Sequence, residues 1–135
     1  MDNAKKHELT QEKVWDKIAL PWNKFKKEPM KDVLLFLKNK KGKILDVCCG
    51  AGRHFKKIKC VEWYGIDFSQ KMLFYAKKGA KKEKVNCVLK KAEASQLPFE
   101  NNFFDAALFA AGLHCIDNAK KREKSIEELF RVLKP

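Results

Sequence analysis

The segment ILDVCCGAGRH, Ile44–His54, constrains the fold of this chain more than any other. Its apolar first half predicts a buried strand, and Gly50 and Gly52 then permit positive φ angles and a close approach of the backbone to a ligand. We expect a helix to follow, with Phe55 and Ile58 on its inner face and its free N–H groups at the same crevice. The order strand, glycine turn, helix indicates a nucleotide-like ligand at this turn.

The segment YGIDFS, Tyr64–Ser69, carries the second signal. It ends a predicted strand, which places Asp67 at the carboxyl end of that strand. Asp67 lies 15 residues beyond Gly52, in the interval where dinucleotide-binding folds place an acid on the ribose hydroxyls. Helix capping by Asp67 is the alternative. Because the neighbouring Ser69 already serves as a cap, we favour the ribose role.

Strands and helices alternate along the chain. Predicted strands lie at 43–47, 61–67, 85–89 and 105–110. Predicted helices lie at 9–20, from 29, after the glycine turn, at 69–78 and at 118–133. Thr10 caps the first helix, and Pro21 interrupts it. The alternation predicts an α/β fold with a doubly wound parallel sheet. The residues predicted to face inward from the helices include Val14, Trp15, Ile18, Val33, Leu34, Leu37, Met72, Leu73, Ala76, Ile126, Leu129, Phe130 and Leu133.

The net charge of +13 comes almost entirely from lysine. Of the 30 basic residues, only Arg53, Arg122 and Arg131 are arginine. Clustered cations bind nucleic acid, but lysine lacks the fork with which arginine holds phosphates and base edges. An excess of lysine also occurs as plain surface charge. The composition therefore leaves open whether the partner is a nucleic acid.

The cysteines do not form a metal-binding pattern. They are Cys48, Cys49, Cys60, Cys87 and Cys115, without a C-x-x-C pair or a histidine at ligand spacing, so we expect free thiols and no metal. No apolar run reaches the roughly 18 residues that span a bilayer, and the first residues lack the apolar core of a signal peptide. We expect a soluble cytoplasmic protein with no membrane partner.

A third segment, KAEASQLPFENNFFD at 91–105, completes a recognisable pattern. Together these segments resemble the class I S-adenosylmethionine-dependent methyltransferases over residues 43–135, which implies a Rossmann-like sheet. Nicotinamide dehydrogenases also have a glycine-rich loop, but their G-x-G-x-x-G fingerprint requires glycine where this chain has Cys48 and Arg53. The L-P-F motif and the terminal R-V-L-K-P also favour the methyltransferases.

The resemblance implies S-adenosylmethionine as the cofactor and a contact for each of its parts. The glycine loop holds the methionine part, the acid ending the first strand lies near its amino group, and the acid after the second strand binds ribose. A further acid and its small neighbour lie beside the adenine. The glycine-loop residues are Cys48, Gly50 and Gly52, and Asp46 ends the first strand near the amino group. Asp67, with Phe68, binds the ribose, and Glu93 with Ala94 lies beside the adenine. Cys48 replaces the family's first glycine and Glu93 replaces its usual aspartate.

The loop FAAGLHCI, at 109–116, follows the fourth predicted strand. In the family that it resembles, this loop borders the transferring methyl group. His114 either orients a substrate and takes a proton there or is a partly buried structural histidine. His114 and Lys26 are the candidate catalytic residues.

The segment VWDKIALPWNKFKKEPMKDVLLFLK, Val14–Lys38, is similar to the tRNA wobble-uridine carboxymethyl methyltransferases, and the similarity continues through Ala119–Pro135. The resemblance implies ester formation on a carboxylate of a modified uridine. That carboxylate is already ionised, so catalysis depends mainly on alignment and charge placement. Lys26 would hold the acid or a phosphate, and Trp22 and Phe25 would stack a base. The alternative is that both rings simply pack this segment onto the sheet.

The resemblance also predicts an incomplete sheet. The family's strand order is 3-2-1-4-5-7-6, and this chain supplies the first four strands, in the order 3-2-1-4, over residues 43–135. An N-terminal helical lid at 1–42 precedes them. Because the fourth strand would be an apolar edge, we expect a second polypeptide to complete the sheet. Transfer RNA and a small zinc-binding activator protein are further candidate partners.

Two other functions remain open. A small-molecule methyltransferase of the quinone-biosynthesis type shares ILDVCCGAG and L-P-F, and an even distribution of lysine over the surface would favour it. A catalytically silent, cofactor-binding or scaffold subunit is the other, and a lack of S-adenosylmethionine binding would favour it.

Overall fold

Four parallel strands form the sheet of the computed structural model, which describes residues 10–135. The strands are β1 (Gly42–Val47), β2 (Val61–Asp67), β3 (Cys87–Lys91) and β4 (Ala106–Leu108), and they lie in the order β3-β2-β1-β4. The predicted Rossmann-like parallel sheet, with the strand order 3-2-1-4, is confirmed. Because the strands run in one direction, their carboxyl ends meet at one edge of the sheet.

Helices lie on both faces of this sheet. They are α1 (Gln11–Phe25), α2 (Lys31–Leu37), α3 (Gln70–Lys82) and α4 (Ala119–Val132), with a 3-10 turn at Leu113–Cys115 between β4 and α4. Within residues 10–135, none of these helices combines the length and the apolar character needed to cross a bilayer.

Two of the helices begin at the caps that the sequence predicts. The Thr10 hydroxyl accepts the Lys13 N–H at 3.4 Å, at the start of α1. The Ser69 hydroxyl accepts the Met72 N–H at 3.2 Å, at the start of α3. Each cap satisfies a backbone donor that the first helical turn leaves free.

The strands alternate their side chains between two apolar layers. Ile44 and Trp63 face the layer that α2 and α3 cover, and Leu45 and Ile66 face the layer beneath α4. The helices and loops contribute to these layers Val33, Leu37, Leu73, Ala76, Leu97, Phe104 and Val132. The sheet is therefore covered on both sides, as a doubly wound fold requires.

α1 continues through Pro21 to Phe25, so the predicted interruption at Pro21 is wrong. A proline inside a helix removes one backbone hydrogen bond. Packing on the same helix offsets this loss. The rings of Trp15 and Trp22 meet edge to face with their centroids 5.2 Å apart, and Ala19 is fully buried.

The connection from β1 to β2, residues 48–60, contains no helix, so the helix predicted there is wrong. Side-chain packing holds this connection instead. The Phe55 ring is buried against Gly65 of β2, where a Cβ would lie 2.6 Å from the ring. Trp63 Nε1 donates to the Lys56 carbonyl oxygen at 2.8 Å. These two aromatic contacts hold the connection against β2.

The buried face of α4 differs from the apolar face that the sequence predicts. Ile126 and Phe130 are 38% and 77% exposed, whereas Glu128 is buried. The buried carboxylate is satisfied because it accepts the Leu97 N–H at 2.8 Å and two N–H groups of Arg131 at 2.8 and 2.9 Å. Buried polar groups with such partners are stable, and hydrophobic periodicity does not reveal them.

The remaining differences concern the ends of elements. β3 lies two residues later than predicted, and β4 has only three residues. α2 begins at Lys31 instead of Pro29, and Leu34, which was predicted to face inward, is 43% exposed. Element ends depend on hydrogen bonds between distant segments, which local periodicity does not record.

We expect Gly65→Ala to destabilise the fold and Gly79→Ala to stabilise it. A Cβ on Gly65 would lie 2.6 Å from the Phe55 ring and 3.0 Å from Leu89, and such overpacking costs about 1–3 kcal/mol. Gly79 lies inside α3, and the nearest atom to its Cβ would be 4.0 Å away. Alanine there gains about 0.5–1 kcal/mol of helix propensity. Chemical unfolding measures both changes, and a neutral Gly65→Ala would contradict the anchoring of Phe55.

Candidate functional site

A cavity of about 710 Å³ opens at the carboxyl edge of the sheet. The residues that follow β1 and β2 form its floor, the segments after β3 and β4 form two walls, and α1 lies across it. Small-molecule sites typically have volumes of roughly 300–1,000 Å³. The parallel topology brings these four segments to one place.

The loop after β1 reaches the cavity with its backbone. Cys48, Gly50 and Gly52 have φ angles of 57°, 54° and 79°, a region that glycine adopts freely and cysteine adopts at a cost. Cys48 and Gly50 line the cavity, and Gly52 lies off its wall. Because no helix follows in this connection, the ligand-facing helix N-terminus that the sequence predicts here is wrong.

Asp67 ends β2 at the floor of the cavity and organises the loop above it. Its Oδ2 accepts the Gly50 N–H and its Oδ1 accepts the Ser69 N–H, both at 2.9 Å. The residue is buried, and this burial raises the pKa of Asp67 to about 6, although the two hydrogen bonds oppose the rise. Each carboxylate oxygen keeps a lone pair, so Asp67 can also accept hydroxyl groups of a ligand.

Asp46 lies beneath the loop in a buried pair with His54. His54 Nδ1 and Asp46 Oδ2 are 3.4 Å apart, and both residues are buried. His54 Nε2 accepts the Met30 N–H at 3.4 Å, which assigns the ring proton to Nδ1, directed at Asp46. Burial raises the pKa of Asp46, and the histidine opposes the rise. His54 lines the cavity and Asp46 does not.

Glu93 and Ala94 form the wall after β3. Ala94 is buried, whereas Glu93 is exposed and pairs with Lys121 of α4 at 3.3 Å. The L-P-F motif that follows is tied to α4, because Arg131 Nη2 donates to the Leu97 carbonyl oxygen at 3.0 Å. This contact fixes the position of the wall relative to the sheet.

α1 supplies an aromatic and basic wall. Trp15, Trp22 and Lys26 line the cavity, and Lys26 Nζ lies 5.8 Å from the centroid of the Trp22 ring. Trp22 sits above the loop after β1, since a Cβ on Gly50 would lie 3.7 Å from its Nε1. Phe25 is 84% exposed and does not line the cavity.

His114 is exposed on the 3-10 turn and does not line the cavity, whereas the next residue, Cys115, does. Successive side chains of a 3-10 helix point roughly 120° apart, so a turn that faces Cys115 inward directs His114 outward. Burial raises the pKa of the Cys48 and Cys49 thiols. These two thiols are therefore protonated at neutral pH and are not activated nucleophiles.

The structure brings most of the predicted site residues to the wall of one cavity. These residues are Trp22, Lys26, Cys48, Gly50, Asp67, Phe68, Glu93 and Ala94. The predicted residues that lie off the wall are Phe25, Asp46, Gly52 and His114. Among residues 10–135, no group of three or more His, Cys, Asp or Glu side chains is placed to hold a metal ion.

Sequence reasoning missed several lining residues. They include Trp15, Arg53, Met72, Lys91, Cys115 and Lys121. A signal existed for Trp15, which lies seven residues before Trp22 and shares its face of a continuous helix. The others carry no motif, because their positions depend on how helices and loops pack.

Residues 44–135 match the model of the methyltransferase domain family. This range contains β1 from Ile44 onward, β2, β3, β4, α3 and α4. It includes the floor of the cavity and the walls after β3 and β4, but not α1.

Two curated relatives are methyltransferases named for quinones. The chain is 33% identical to the 2-phytyl-1,4-naphtoquinone methyltransferase of Nostoc punctiforme over 134 residues, which cover 94% of this chain and 51% of the relative. It is 38% identical to the demethylmenaquinone methyltransferase of Staphylococcus aureus over 131 residues, which cover 93% of this chain and 47% of the relative. The chain therefore spans about half the length of these relatives.

Solved structures show the same fold. An S-adenosylmethionine-dependent methyltransferase of Methanosarcina mazei matches with a TM-score of 0.65 and 30% identity, covering 80% of this chain and 54% of that one. An S-adenosylmethionine-dependent methyltransferase of Aquifex aeolicus matches with a TM-score of 0.69 and 25% identity, covering 95% of this chain and 69% of that one.

We expect His54→Ala to destabilise the protein by about 2–4 kcal/mol, because the buried Asp46 carboxyl and the Met30 N–H both lose their partner. His114→Ala is the matched control. Its ring is exposed, so the change should stay within about 0.5 kcal/mol. Urea unfolding of the two variants at neutral pH makes the comparison. Equally small losses would show that the pair does not hold the loop.

We expect Asp67 to make stability depend on pH. Its pKa is about 6 in the folded protein and about 3.9 in an unfolded chain, so the folded state holds the proton more tightly. The resulting stabilisation is complete below about pH 4 and is lost as the pH rises through 6, a change on the order of 3 kcal/mol. The difference in unfolding free energy between the wild type and Asp67→Asn, measured across this range, reports it. A difference that does not vary with pH would contradict the raised pKa.

Proposed function

Because this chain belongs to the class I S-adenosylmethionine-dependent methyltransferase family, we propose that it forms the cofactor-binding half of an enzyme that methylates a quinone. The observation that carries the proposal is the cavity at the carboxyl edge, with the buried Asp67 at its floor and the loop of Cys48 and Gly50 beside it. The relatives named above are quinone methyltransferases.

The residues around the cavity suit the parts of S-adenosylmethionine, which supplies a methyl group on a sulfonium sulfur. Asp67 has lone pairs for the two ribose hydroxyls. Phe68 and Ala94 offer apolar surface to the adenine, and Glu93 can accept from its amino group. The backbone around Gly50 suits the methionine part, because Gly50 lines the cavity without a side chain of its own.

The wall from α1 suits a planar apolar acceptor. Trp15 and Trp22 present two rings to the cavity, and flat aromatic surfaces bind a quinone ring by stacking. Lys26 stands beside Trp22 and places a positive charge where an oxygen of the acceptor gains negative charge. These residues hold the acceptor in line with the methyl group and keep water away. Lys26 is the better candidate for a catalytic residue, because it lines the cavity whereas His114 is exposed outside it.

Methylation of a tRNA wobble uridine is the second candidate function. Trp22 and Lys26 on the cavity wall, with Phe25 exposed nearby in sequence, are the observation that favours it. The named relatives support it less than they support a quinone acceptor. Transfer RNA binding would weaken steeply with salt, whereas binding of a neutral quinone would not. The zinc-binding activator protein belongs to this second candidate and stays a prediction.

We further propose that residues outside this chain extend the sheet at β4. Among residues 10–135, β4 pairs within the sheet with β1 alone, and Phe104, just before β4, forms an isolated bridge with Leu133. The nearby α4 exposes Ile126 and Phe130. An open edge with apolar neighbours is a ready site for further strands. A chain that transfers methyl groups as a monomer would contradict this proposal, and light scattering during the assay measures its mass.

We expect isothermal titration to show S-adenosylmethionine binding that Asp67→Ala weakens about 100-fold, since the ribose loses a charged acceptor for two hydroxyls. Asp105→Ala is the control. Its carboxylate lies at the opposite edge of the sheet, where it accepts the Lys43 N–H at 2.8 Å, so cofactor affinity should not change. Methyl transfer is then assayed on a short-chain naphthoquinone and on tRNA.

The outcomes separate the three functions. Methylation of the quinone with an affinity insensitive to salt supports the main proposal. Methylation of tRNA alone would favour the wobble-uridine function. A folded chain that binds no cofactor would instead favour a silent scaffold subunit.

A further inference from the structure

We propose that the outer surface of α2 and of the α1–α2 connection docks on an anionic lipid bilayer, so that a quinone with an apolar tail reaches the cavity directly from the membrane. This inference rests on the proposed quinone function. We call this region the lid surface and define it by the exposed residues Phe25, Met30, Leu34, Leu35 and Phe36.

The centre of the lid surface is apolar and solvent-exposed. Phe25 is 84% exposed and Leu35 is 72% exposed, and Leu34, Phe36 and Met30 are 43%, 42% and 37% exposed. The three successive residues of α2 project outward because Val33 and Leu37 fill the core beneath them. Exposed apolar groups gathered in so short a segment mark an interaction surface.

Lysines alternate with these apolar residues along the segment. Residues 24–41 contain seven lysines and only two acids, Glu28 and Asp32. Among residues 10–135, the structure pairs none of these lysines with a carboxylate. Lys40 Nζ lies 4.7 Å from the centroid of the Phe36 ring, so cationic and apolar groups are interleaved. The lysines are Lys24, Lys26, Lys27, Lys31, Lys38, Lys40 and Lys41.

This chemistry fits a bilayer better than it fits RNA or protein. Lysine side chains act as point charges on anionic headgroups, while aliphatic residues enter the boundary between headgroups and acyl chains. The aliphatic side chains of Met30, Leu34 and Leu35 cannot stack a nucleotide base as aromatic rings do. Lysine is also depleted at the centres of protein–protein interfaces.

The lid surface is continuous with the cavity wall. Trp22 and Lys26 of the same segment line the cavity, and the Met30 N–H donates to His54, another lining residue. A bilayer in contact with Phe25 and Met30 would therefore lie close to the cavity mouth. The name of one relative includes a phytyl group, a long apolar chain that partitions into lipid.

The proposal departs from the sequence expectation that no membrane is involved. That expectation considered only segments long enough to span a bilayer. A domain held at the surface by lysines and a few apolar side chains needs no such segment.

Cosedimentation with lipid vesicles tests the inference on the full chain. We expect binding to vesicles that contain phosphatidylglycerol and much weaker binding to pure phosphatidylcholine. Replacing both Leu35 and Phe36 by serine should weaken partitioning about tenfold or more. The matched control replaces Phe130 and Val88 by serine. Their exposures of 77% and 44% equal those of the test pair within a few per cent, but they lie on α4 and β3, so partitioning should not change.

The charge is tested with a second matched pair of variants. Lys31→Gln, Lys38→Gln and Lys41→Gln together should weaken partitioning about 100-fold, because each lysine near an anionic surface adds roughly fivefold. The control changes Lys77, Lys78 and Lys81 to glutamine. These lysines are exposed on α3 and should matter little.

Three results would overturn the inference. They are a wild type that does not bind anionic vesicles, equal losses in test and control variants, and binding of RNA in place of vesicles through the same residues. Cofactor titration and methylation of a short-chain quinone without vesicles report the proposed function separately. Failure of those assays with intact vesicle binding would reject the function, whereas the reverse would reject only the docking surface.

Discussion

The carboxylate of Asp67 is the interaction on which the rest of the site depends. One oxygen accepts the Gly50 N–H and the other accepts the Ser69 N–H, so a single buried side chain fixes the end of β2 to the loop after β1. The Ser69 hydroxyl extends this network, because it accepts the Met72 N–H and donates to Asp16 Oδ1 at 2.5 Å. Loop, α3 and α1 therefore share one polar anchor. Burial destabilises the charged form of the Asp67 carboxyl and raises its pKa to about 6. The hydrogen bonds from Gly50 and Ser69 stabilise the charged form and limit this rise.

The parts of the fold that follow from local rules could be predicted from the sequence. The apolar run followed by a glycine turn predicts β1 and the loop at the cavity floor. Ser69 is predictable as a helix cap because its hydroxyl accepts a backbone N–H from the first turn of the helix that directly follows it. The failures depend on partners distant in sequence. α1 continues past Pro21, with the Trp15 and Trp22 rings packed together. The connection after β1 has no helix and packs Phe55 against Gly65. The buried face of α4 includes Glu128, which accepts the Leu97 N–H. Periodicity records none of these contacts.

The missing helix changes the electrostatics of the cavity. A helix N-terminus after the glycine loop would offer partial positive charge to an anionic group, and here that contribution must come from side chains. Four cationic residues line the cavity, but Lys91 is paired with Glu12 at 2.6 Å and Lys121 with Glu93 at 3.3 Å. The cations of the described lining that lack such a partner are Lys26 and Arg53. Positive charge at this site therefore rests on flexible side chains, which adapt to a ligand but lose more entropy on binding than a fixed backbone does.

The same loop also connects the lid surface with the cavity. The Met30 N–H donates to His54 Nε2, and the opposite ring nitrogen faces Asp46 beneath the loop. A displacement of the α1–α2 connection must therefore break or shift a hydrogen bond of a buried pair, which is costly in a low-dielectric interior. One imidazole ring thus connects the backbone of the α1–α2 connection to the buried carboxyl beneath the loop.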